Sequence, residues 1–122
     1  MPELPEVETI RRQLRSEIID KTVLRAGSHE SQKFLPAREI KGRRFTELSR
    51  RGKYLIAECD GQTELIVHLG MTGQLLIDRH EQDLTNLDQY QRAWWSLDNG
   101  KTVVFRDVRR FGRIAVVSKG DY

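Results

Sequence analysis

The stretch KYLIAECDGQTELIVH, residues 53–68, sets the fold of this chain. It contains two β-prone runs, Lys53 to Glu58 and Thr63 to His68, on either side of the pair Asp60-Gly61. An Asp-Gly pair between strand-like runs is a strong hairpin signal, because tight hairpin turns need residues that tolerate positive φ. We therefore predict two antiparallel neighbouring strands here.

Six further runs of the same character surround this hairpin, separated by turn residues. They are Thr22 to Ala26, Phe45 to Ser49, Gln74 to Asp78, Arg92 to Leu97, Thr102 to Arg106 and Arg113 to Val117. Asn99-Gly100 marks a second hairpin between two of them. Segments 27–43 and 79–90 are predicted to be loops.

The start of the chain has a different period. Between Pro5 and Ile18 the apolar residues fall three or four apart, which predicts an amphipathic helix. They are Val7, Ile10, Leu14 and Ile18. Pro5 suits the first turn, and Glu6 and Glu8 complement the positive end of the helix dipole. The predicted fold is mainly β with an N-terminal α-helix: an antiparallel β-sandwich of about eight strands flanked by the helix.

Length and composition indicate one domain, residues 1–122, with a single core. Hydrophobic residues make up 38% of the chain and charged residues 32%. The net charge of +3 is too small to indicate nucleic-acid binding by itself. Basic residues nevertheless cluster between Arg38 and Lys53 and between Arg106 and Arg113. Each cluster alone is more commonly solvated charge on strand faces.

Cys59 is the single cysteine, so it can form neither an internal disulfide nor a thiolate zinc site. Its apolar surroundings predict a buried, inert thiol. Residues 1–8 lack the apolar run of a secretory signal, and no stretch approaches the roughly 20 apolar residues of a membrane span. These observations predict a cytoplasmic protein with no membrane partner.

Four short motifs follow one another along the chain. They are MPELPEVET at residues 1–9, RGKYL at 51–55, HLGMTG at 68–73 and DVRRFG at 107–112. Together they resemble the formamidopyrimidine-DNA glycosylase family over nearly the whole chain. The related endonuclease VIII branch typically has Gly where Leu4 stands, so Leu4 and the Arg-Arg-Phe run favour the branch that acts on oxidised purines.

The resemblance implies a bacterial base-excision repair enzyme that acts on the nucleoid. Its partner would be double-stranded DNA containing a damaged base, such as formamidopyrimidine or 8-oxoguanine. Pro2 would be the nucleophile. Once Met1 is removed, the pKa of its secondary α-amine would be about 8, against about 10.4 for the lysine side chain. The family's amine attacks C1′, expels the base and leaves a Schiff base, from which β- and δ-elimination cut the backbone (AP lyase activity).

Three further residues resemble the family's catalytic group. Glu3 matches the acid that protonates the sugar ring oxygen, Glu6 a supporting residue one turn on, and Lys53 the lysine that holds phosphate near the lesion. Without the motifs, Glu3 and Glu6 would be charge compensation at a helix start. Lys53 would be an ordinary solvent-facing lysine.

Met71, Arg109 and Phe111 resemble the residues that fill the gap left when the damaged base leaves the stack. Arg109 would offer donors to the orphaned partner base. For Met71 and Phe111 the alternative is ordinary core packing, although their glycine-edged settings favour exposed loops. His68 is interpreted as a hydrogen-bonded structural histidine, since no second metal ligand of suitable spacing accompanies it.

The chain also departs from the family pattern. Family members continue into a helical domain with a helix-two-turn-helix element and usually a four-cysteine zinc finger, and neither is present in these residues. We therefore expect no cofactor or metal in this chain, and weak, salt-sensitive DNA binding. With Met1 retained, the Pro2 amine is in a peptide bond and the chain is expected to be inactive. Val108 replaces a usual proline, and residues 90–94 lack a common His-Asp-His pattern.

Three other functions fit parts of the pattern. One is a non-catalytic module that binds DNA lesions, and a second is an endonuclease VIII-like glycosylase for oxidised pyrimidines. The third is a structural β-domain that dimerises through exposed apolar surface and has no affinity for DNA.

Overall fold

The computed structural model describes residues 4–78 and 89–119. These residues form a helix, a 3₁₀ helix and eight strands. The helices are α1 (Leu4–Ile18) and the 3₁₀ helix Leu35–Ile40. The strands are β1 (Val23–Ser28), β2 (Phe45–Arg51), β3 (Tyr54–Cys59), β4 (Thr63–His68), β5 (Gln74–Asp78), β6 (Gln91–Leu97), β7 (Thr102–Arg106) and β8 (Arg113–Ser118).

The strands form two four-stranded sheets, in the orders β1-β6-β7-β5 and β2-β3-β4-β8, with every pair antiparallel. The predicted fold is confirmed, including the hairpin within residues 53–68. In that hairpin Cys59 lies opposite Thr63, and the turn uses three residues, 60–62. Gly61 and Gln62 both have positive φ, 70° and 60°. Gly100, with φ 83°, turns the second predicted hairpin.

The core lies between the two sheets, where inward side chains of both alternate with outward ones. One sheet contributes Leu55, Ala57, Leu65 and Val67, and the other Ala93, Trp95, Val103 and Phe105, all buried. The predicted stripe of α1 covers this core through Val7, Leu14 and Ile18, with Ile10 packed at its edge. The helix therefore closes one side of the sandwich.

The prediction that residues 27–43 are all loop is wrong. Strand β1 continues to Ser28, and the 3₁₀ helix occupies Leu35–Ile40. Phe34, Ala37 and Ile40 are fully buried. Their spacing of three residues matches the three residues per turn of a 3₁₀ helix, so all three face the core. Of the loop predicted at 79–90, residues 79–88 lie outside the described part of the chain.

Trp94 and Trp95 point to opposite faces of β6, as expected for neighbours in a strand. Trp95 is buried, and its Nε1 donates to the carbonyl oxygen of Ala37 at 2.9 Å. Trp94 is half-buried and lies over Gly27, where a Cβ would come within 2.5 Å of the indole ring. Of the two tryptophans, Trp95 is therefore the one that hydrogen-bonds to the 3₁₀ helix.

The prediction for Cys59 is confirmed. The thiol is buried, and burial raises its pKa to about 12. Since the thiolate is the reactive form, Cys59 is an inert core residue.

Ion pairs hold α1 along β2. The guanidinium of Arg15 donates to both carboxylate oxygens of Glu47, at 2.5 and 3.0 Å. The carboxylate of Glu8 accepts from Arg50 at 3.0 Å. Because the earlier helix residue pairs with the later strand residue, α1 runs antiparallel to β2.

Within residues 4–78 and 89–119, no helix combines the length and the apolar character that crossing a membrane requires.

Replacing Trp95 tests the attachment of the 3₁₀ helix. Trp95→Phe removes the indole donor and with it the hydrogen bond to the Ala37 carbonyl oxygen, which should lower the free energy of unfolding by about 1 kcal/mol beyond the loss of packing. Trp94→Phe is the matched control, because Trp94 is only half-buried and its indole makes no hydrogen bond to a described residue. Urea unfolding measures both. Equal losses in the two variants would contradict this role.

The Arg15–Glu47 pair predicts a pH dependence. The hydrogen bond from Arg15 lowers the pKa of Glu47 from 4.5 to about 2. A depressed folded-state pKa stabilises the protein above pH 4.5, and that stability is lost as the pH falls towards 2. The difference in Tm between the wild type and Glu47→Gln should therefore be present at pH 6 and shrink towards pH 2.

The matched control for this titration is Glu39→Gln, since Glu39 is exposed and forms no ion pair with a described residue. Its difference in Tm from the wild type should stay flat between pH 6 and pH 2. If the difference in Tm between Glu47→Gln and the wild type were equally independent of pH, the Arg15–Glu47 pair would not contribute to stability.

Candidate active site and nucleic-acid interface

Three connections meet at one end of the sandwich, which we call the loop end. They are the first loop (residues 52–53), the second loop (69–73) and the third loop (107–112). The strand ends explain this meeting. Tyr54 pairs with His68 and His68 with Arg113 in one sheet, while Gln74 pairs with Arg106 in the other. The second and third loops each cross from one sheet to the other at this edge.

The second and third loops touch through their backbones. A Cβ added at Gly70 would lie 2.6 Å from the Gly112 nitrogen, and Gly70 has φ +63°. A Cβ added at Gly112 would lie 2.8 Å from the His68 oxygen and 2.6 Å from the Phe105 ring. Side chains at either position would push the loops apart, so this close approach requires both glycines.

A buried carboxyl group fastens the same two loops. Asp107 is fully buried, and its carboxyl accepts from the Thr72 hydroxyl at 2.6 Å and from the Gly112 N–H at 2.8 Å. Below it, the buried Arg92 donates from Nε to the Asp107 carbonyl oxygen at 2.8 Å. Sequence reasoning missed Thr72, Asp107 and Arg92, because no local pattern indicates that a polar side chain is buried.

The three predicted gap-filling residues project from these loops. Met71 is 41% exposed and Phe111 51% exposed, which excludes core packing for both. The guanidinium of Arg109 lies 5.9 Å from the centre of the Phe111 ring. The Arg109 backbone N–H donates to the Thr72 hydroxyl at 3.1 Å, next to Met71 in sequence. The structure thus brings the predicted trio together on one surface.

Lys53 lies in the first loop, half-buried and near His68. Burial lowers the pKa of His68, and the positive charge of Lys53 lowers it further. His68 Nδ1 accepts from the Gly70 N–H at 3.2 Å, and its ring lies 4.7 Å from that of Tyr54. The predicted hydrogen-bonded histidine is confirmed, and it contacts both Tyr54, where β3 begins, and Gly70 in the second loop.

The start of α1 is fixed beside the first loop. The Glu8 carboxylate accepts from Arg11 at 2.6 Å, Arg12 at 2.9 Å and Arg50 at 3.0 Å. Arg50 also donates to the Gly52 carbonyl oxygen at 3.1 Å. The hydrogen bonds from Arg11 and then Arg50 hold the pKa of Glu8 far below its usual range. Glu8 is therefore an anion that anchors the helix start at the loop end.

Two of the predicted catalytic residues, Pro2 and Glu3, lie outside the described residues. In the sequence they directly precede Leu4, where α1 begins. Glu6 is exposed in the first turns of α1 and makes no hydrogen bond to a described residue.

Positive charge collects at the loop end, in Arg51, Lys53, Arg106, Arg109, Arg110 and Arg113. The first basic cluster of the sequence is divided between the two ends of the sandwich. Arg44 pairs with Asp20 at 2.9 Å, and its N–H donates to Asp60 at the opposite end, whereas Arg50 reaches the first loop through the Gly52 carbonyl oxygen. A surface of this kind suits a phosphate backbone.

Metal-ligating side chains are also scattered. Over residues 4–78 and 89–119, no group of three or more His, Cys, Asp or Glu side chains is arranged to hold a metal ion. The inert Cys59 thiol adds no ligand.

Comparisons with known proteins agree with this arrangement. Residues 1–114 match the family model of the formamidopyrimidine-DNA glycosylase N-terminal domain. A curated formamidopyrimidine-DNA glycosylase of Thermus thermophilus is 39% identical over 122 residues, covering 100% of this chain and 42% of that protein. The enzyme of Heliobacterium modesticaldum is 40% identical, covering 98% of this chain and 45% of the relative. The chain thus spans less than half the length of these relatives.

Solved structures of Fpg proteins have the same fold as this chain. The crystal structure of the MutM (Fpg) protein from Thermus thermophilus superposes with a TM-score of 0.83 at 39% identity, covering 99% of this chain and 42% of that one. The complex of Lactococcus lactis Fpg with DNA containing FAPY-dG superposes with a TM-score of 0.83 at 30% identity, covering 95% and 44%. The chain belongs to the formamidopyrimidine-DNA glycosylase family and corresponds to its N-terminal domain.

Proposed function

We propose that this chain is the nucleophile-bearing domain of a base-excision repair enzyme. The enzyme removes oxidised purines, such as formamidopyrimidine and 8-oxoguanine, from double-stranded DNA and then cuts the backbone as an AP lyase. The observation that supports this most is the exposure of Met71, Arg109 and Phe111 together on two interlocked loops. A related protein of this fold has been crystallised with DNA containing FAPY-dG.

The loop end suits a duplex from which one base has been withdrawn. Flipping a base out of the stack leaves a gap, and apolar side chains that enter the gap stabilise the opened duplex. Met71 and Phe111 are exposed apolar groups on neighbouring loops, where they are available to enter such a gap. Arg109 lies beside Phe111, and its guanidinium offers several donors to the orphaned base. The surrounding arginines and Lys53 would contact phosphates.

The proposed chemistry uses the α-amine of Pro2 after Met1 is removed. The amine nitrogen bonds to C1′ as the bond between C1′ and the base breaks; the nitrogen gives up its proton, and the base leaves with the bond's electron pair and takes up a proton. Glu3 protonates the sugar ring oxygen, which opens the ring and leaves an iminium. Loss of a proton from C2′ then expels the 3′ phosphate, and a second elimination expels the 5′ phosphate. Each step uses only groups of the protein, so no cofactor in this chain is invoked.

Lys53 and Glu6 have supporting parts in this proposal. Lys53 would hold a phosphate beside the lesion, and Glu6 would help to order the site next to Glu3. The Glu8–Arg50–Gly52 contacts favour this assignment, since they fix the beginning of α1 against the loop that carries Lys53. Catalysis depends on such fixed distances between reacting groups.

A second domain is part of the proposal. The family resemblance implies a helical domain with a helix-two-turn-helix element and a zinc finger, and we propose that it forms the other wall of the DNA cleft. The chain without it should bind DNA weakly, in a salt-sensitive way, and with Met1 retained it should be inactive. We also propose that the enzyme acts on nucleoid DNA in the bacterial cytoplasm, since the curated relatives are bacterial.

Covalent trapping tests the nucleophile. The product of the complete open reading frame, with Met1 removed, should form a borohydride-stable adduct with duplex DNA containing an abasic site, and mass spectrometry should locate it at Pro2. The matched control is the same protein with Met1 retained. It should bind the duplex but form no adduct, because its proline nitrogen is part of an amide.

Three results would contradict the proposal, each favouring a different alternative. Tight binding to the lesion with no adduct would indicate a non-catalytic lesion-binding module. An adduct together with a preference for oxidised pyrimidines would indicate an endonuclease VIII-like enzyme. Self-association with no affinity for DNA would indicate a structural β-domain.

A further inference from the structure

Asp107 and Thr72 lie beneath the exposed trio, and neither belongs to the groups assigned to chemistry or DNA contact above. We propose that they are positioning residues: the buried Asp107 carboxyl and the Thr72 hydroxyl lock the second and third loops in one register and thereby hold Met71, Arg109 and Phe111 ready to enter the duplex. This inference rests on the proposed function, because it assumes that the trio enters DNA.

Asp107 has a hydrogen-bond partner for each of its polar groups. The residue is fully buried, and both carboxyl oxygens accept, one from Thr72 at 2.6 Å and the other from the Gly112 N–H at 2.8 Å. Its backbone N–H donates to the Tyr90 carbonyl oxygen at 2.9 Å, and its carbonyl oxygen accepts from Arg92 at 2.8 Å. A carboxyl group buried in this way is stable only while its partners stay in place, so it fixes their positions.

The Thr72 hydroxyl both donates and accepts a hydrogen bond. A hydroxyl has one proton, and Thr72 donates it to Asp107, which leaves its oxygen free to accept from the Arg109 N–H at 3.1 Å. A continuous chain of bonds thus runs from Gly112 through Asp107 and Thr72 to the backbone of Arg109. These bonds join the second loop to the third. Each member of the trio either takes part in them, as Arg109 does, or is next in sequence to a residue that does.

The third loop is also held by hydrogen bonds from outside the second loop. Arg92 donates to the Val108 carbonyl oxygen at 3.2 Å, and Lys33 Nζ donates to the Arg110 carbonyl oxygen at 2.7 Å. Arg110 itself has φ +60°, a conformation uncommon for a residue with a side chain. A backbone so restrained has one defined arrangement.

Positioning has a physical consequence for binding. Exposed side chains receive little packing from the core, so their place in space depends on the backbone beneath them. If that backbone were loose, DNA binding would have to order it, and affinity would fall by the corresponding free energy. Contacts to phosphates elsewhere on the loop end would be unaffected. The loss of affinity should therefore be specific to damaged DNA.

The test compares variants at Thr72 in the product of the complete open reading frame. Thr72→Val keeps the shape but removes the hydroxyl, and Thr72→Ala removes it without adding a methyl group. Thr72→Ser keeps the hydroxyl and is the conservative rescue. Thr46→Val is the matched control, because the Thr46 hydroxyl donates to the Glu58 carbonyl oxygen at 3.2 Å, towards the opposite end of β2.

Two signals are recorded for each protein. One is the ratio of affinities for a duplex with a tetrahydrofuran abasic analogue and for the same duplex undamaged. The other is the fluorescence of 2-aminopurine beside the analogue, which rises when a side chain interrupts its stacking. Thermal unfolding confirms that each variant folds.

Thr72→Val and Thr72→Ala should lose about tenfold in the affinity ratio, the size expected when a hydrogen bond to a carboxylate is lost, together with most of the fluorescence rise. Thr72→Ser and Thr46→Val should keep both signals. Wild-type signals in folded Thr72→Val and Thr72→Ala, or an equal loss in Thr72→Ser, would overturn the positioning role. If the wild type itself shows neither preference for the analogue nor fluorescence rise, the proposed function fails instead.

Discussion

The close approach of the second and third loops is the constraint on which the loop end depends. Gly70 and Gly112 lack the Cβ atoms that would separate the two backbones, and Asp107 binds across the contact. Both loops cross between the sheets, so joining them also joins the edges of the sandwich. The exposed Met71 and Phe111 can then face solvent without losing their place.

The rest of the fold supports this end. Antiparallel pairing brings the strand ends into line, and α1, lying against β2, begins at the same end. The ion pair between Glu8 and Arg50 connects that beginning to the first loop, which carries Lys53. Side chains from four separate stretches of sequence therefore share one positively charged surface, which is how a small β-sandwich can present a site for an extended anionic ligand.

Much of the fold could be predicted because its signals are local. Alternating strands, the Asp60-Gly61 and Asn99-Gly100 turns and the helical stripe each determine their own conformation. The 3₁₀ helix was missed because three-residue periodicity at Phe34, Ala37 and Ile40 fits neither the helix nor the strand template. The motifs identified the exposed trio. They did not reveal the Asp107 network, because burial of a polar group depends on residues distant in sequence.

The proposed function requires DNA to bind at the loop end and nowhere else on the described part of the sandwich. Hydrogen–deuterium exchange on the complete protein, with and without a duplex containing an abasic analogue, tests it most directly. We expect slower exchange at residues 52–54, 69–73 and 107–112, with no change at the turns 60–62 and 98–100. Protection of those turns, or none at the loop end, would contradict it.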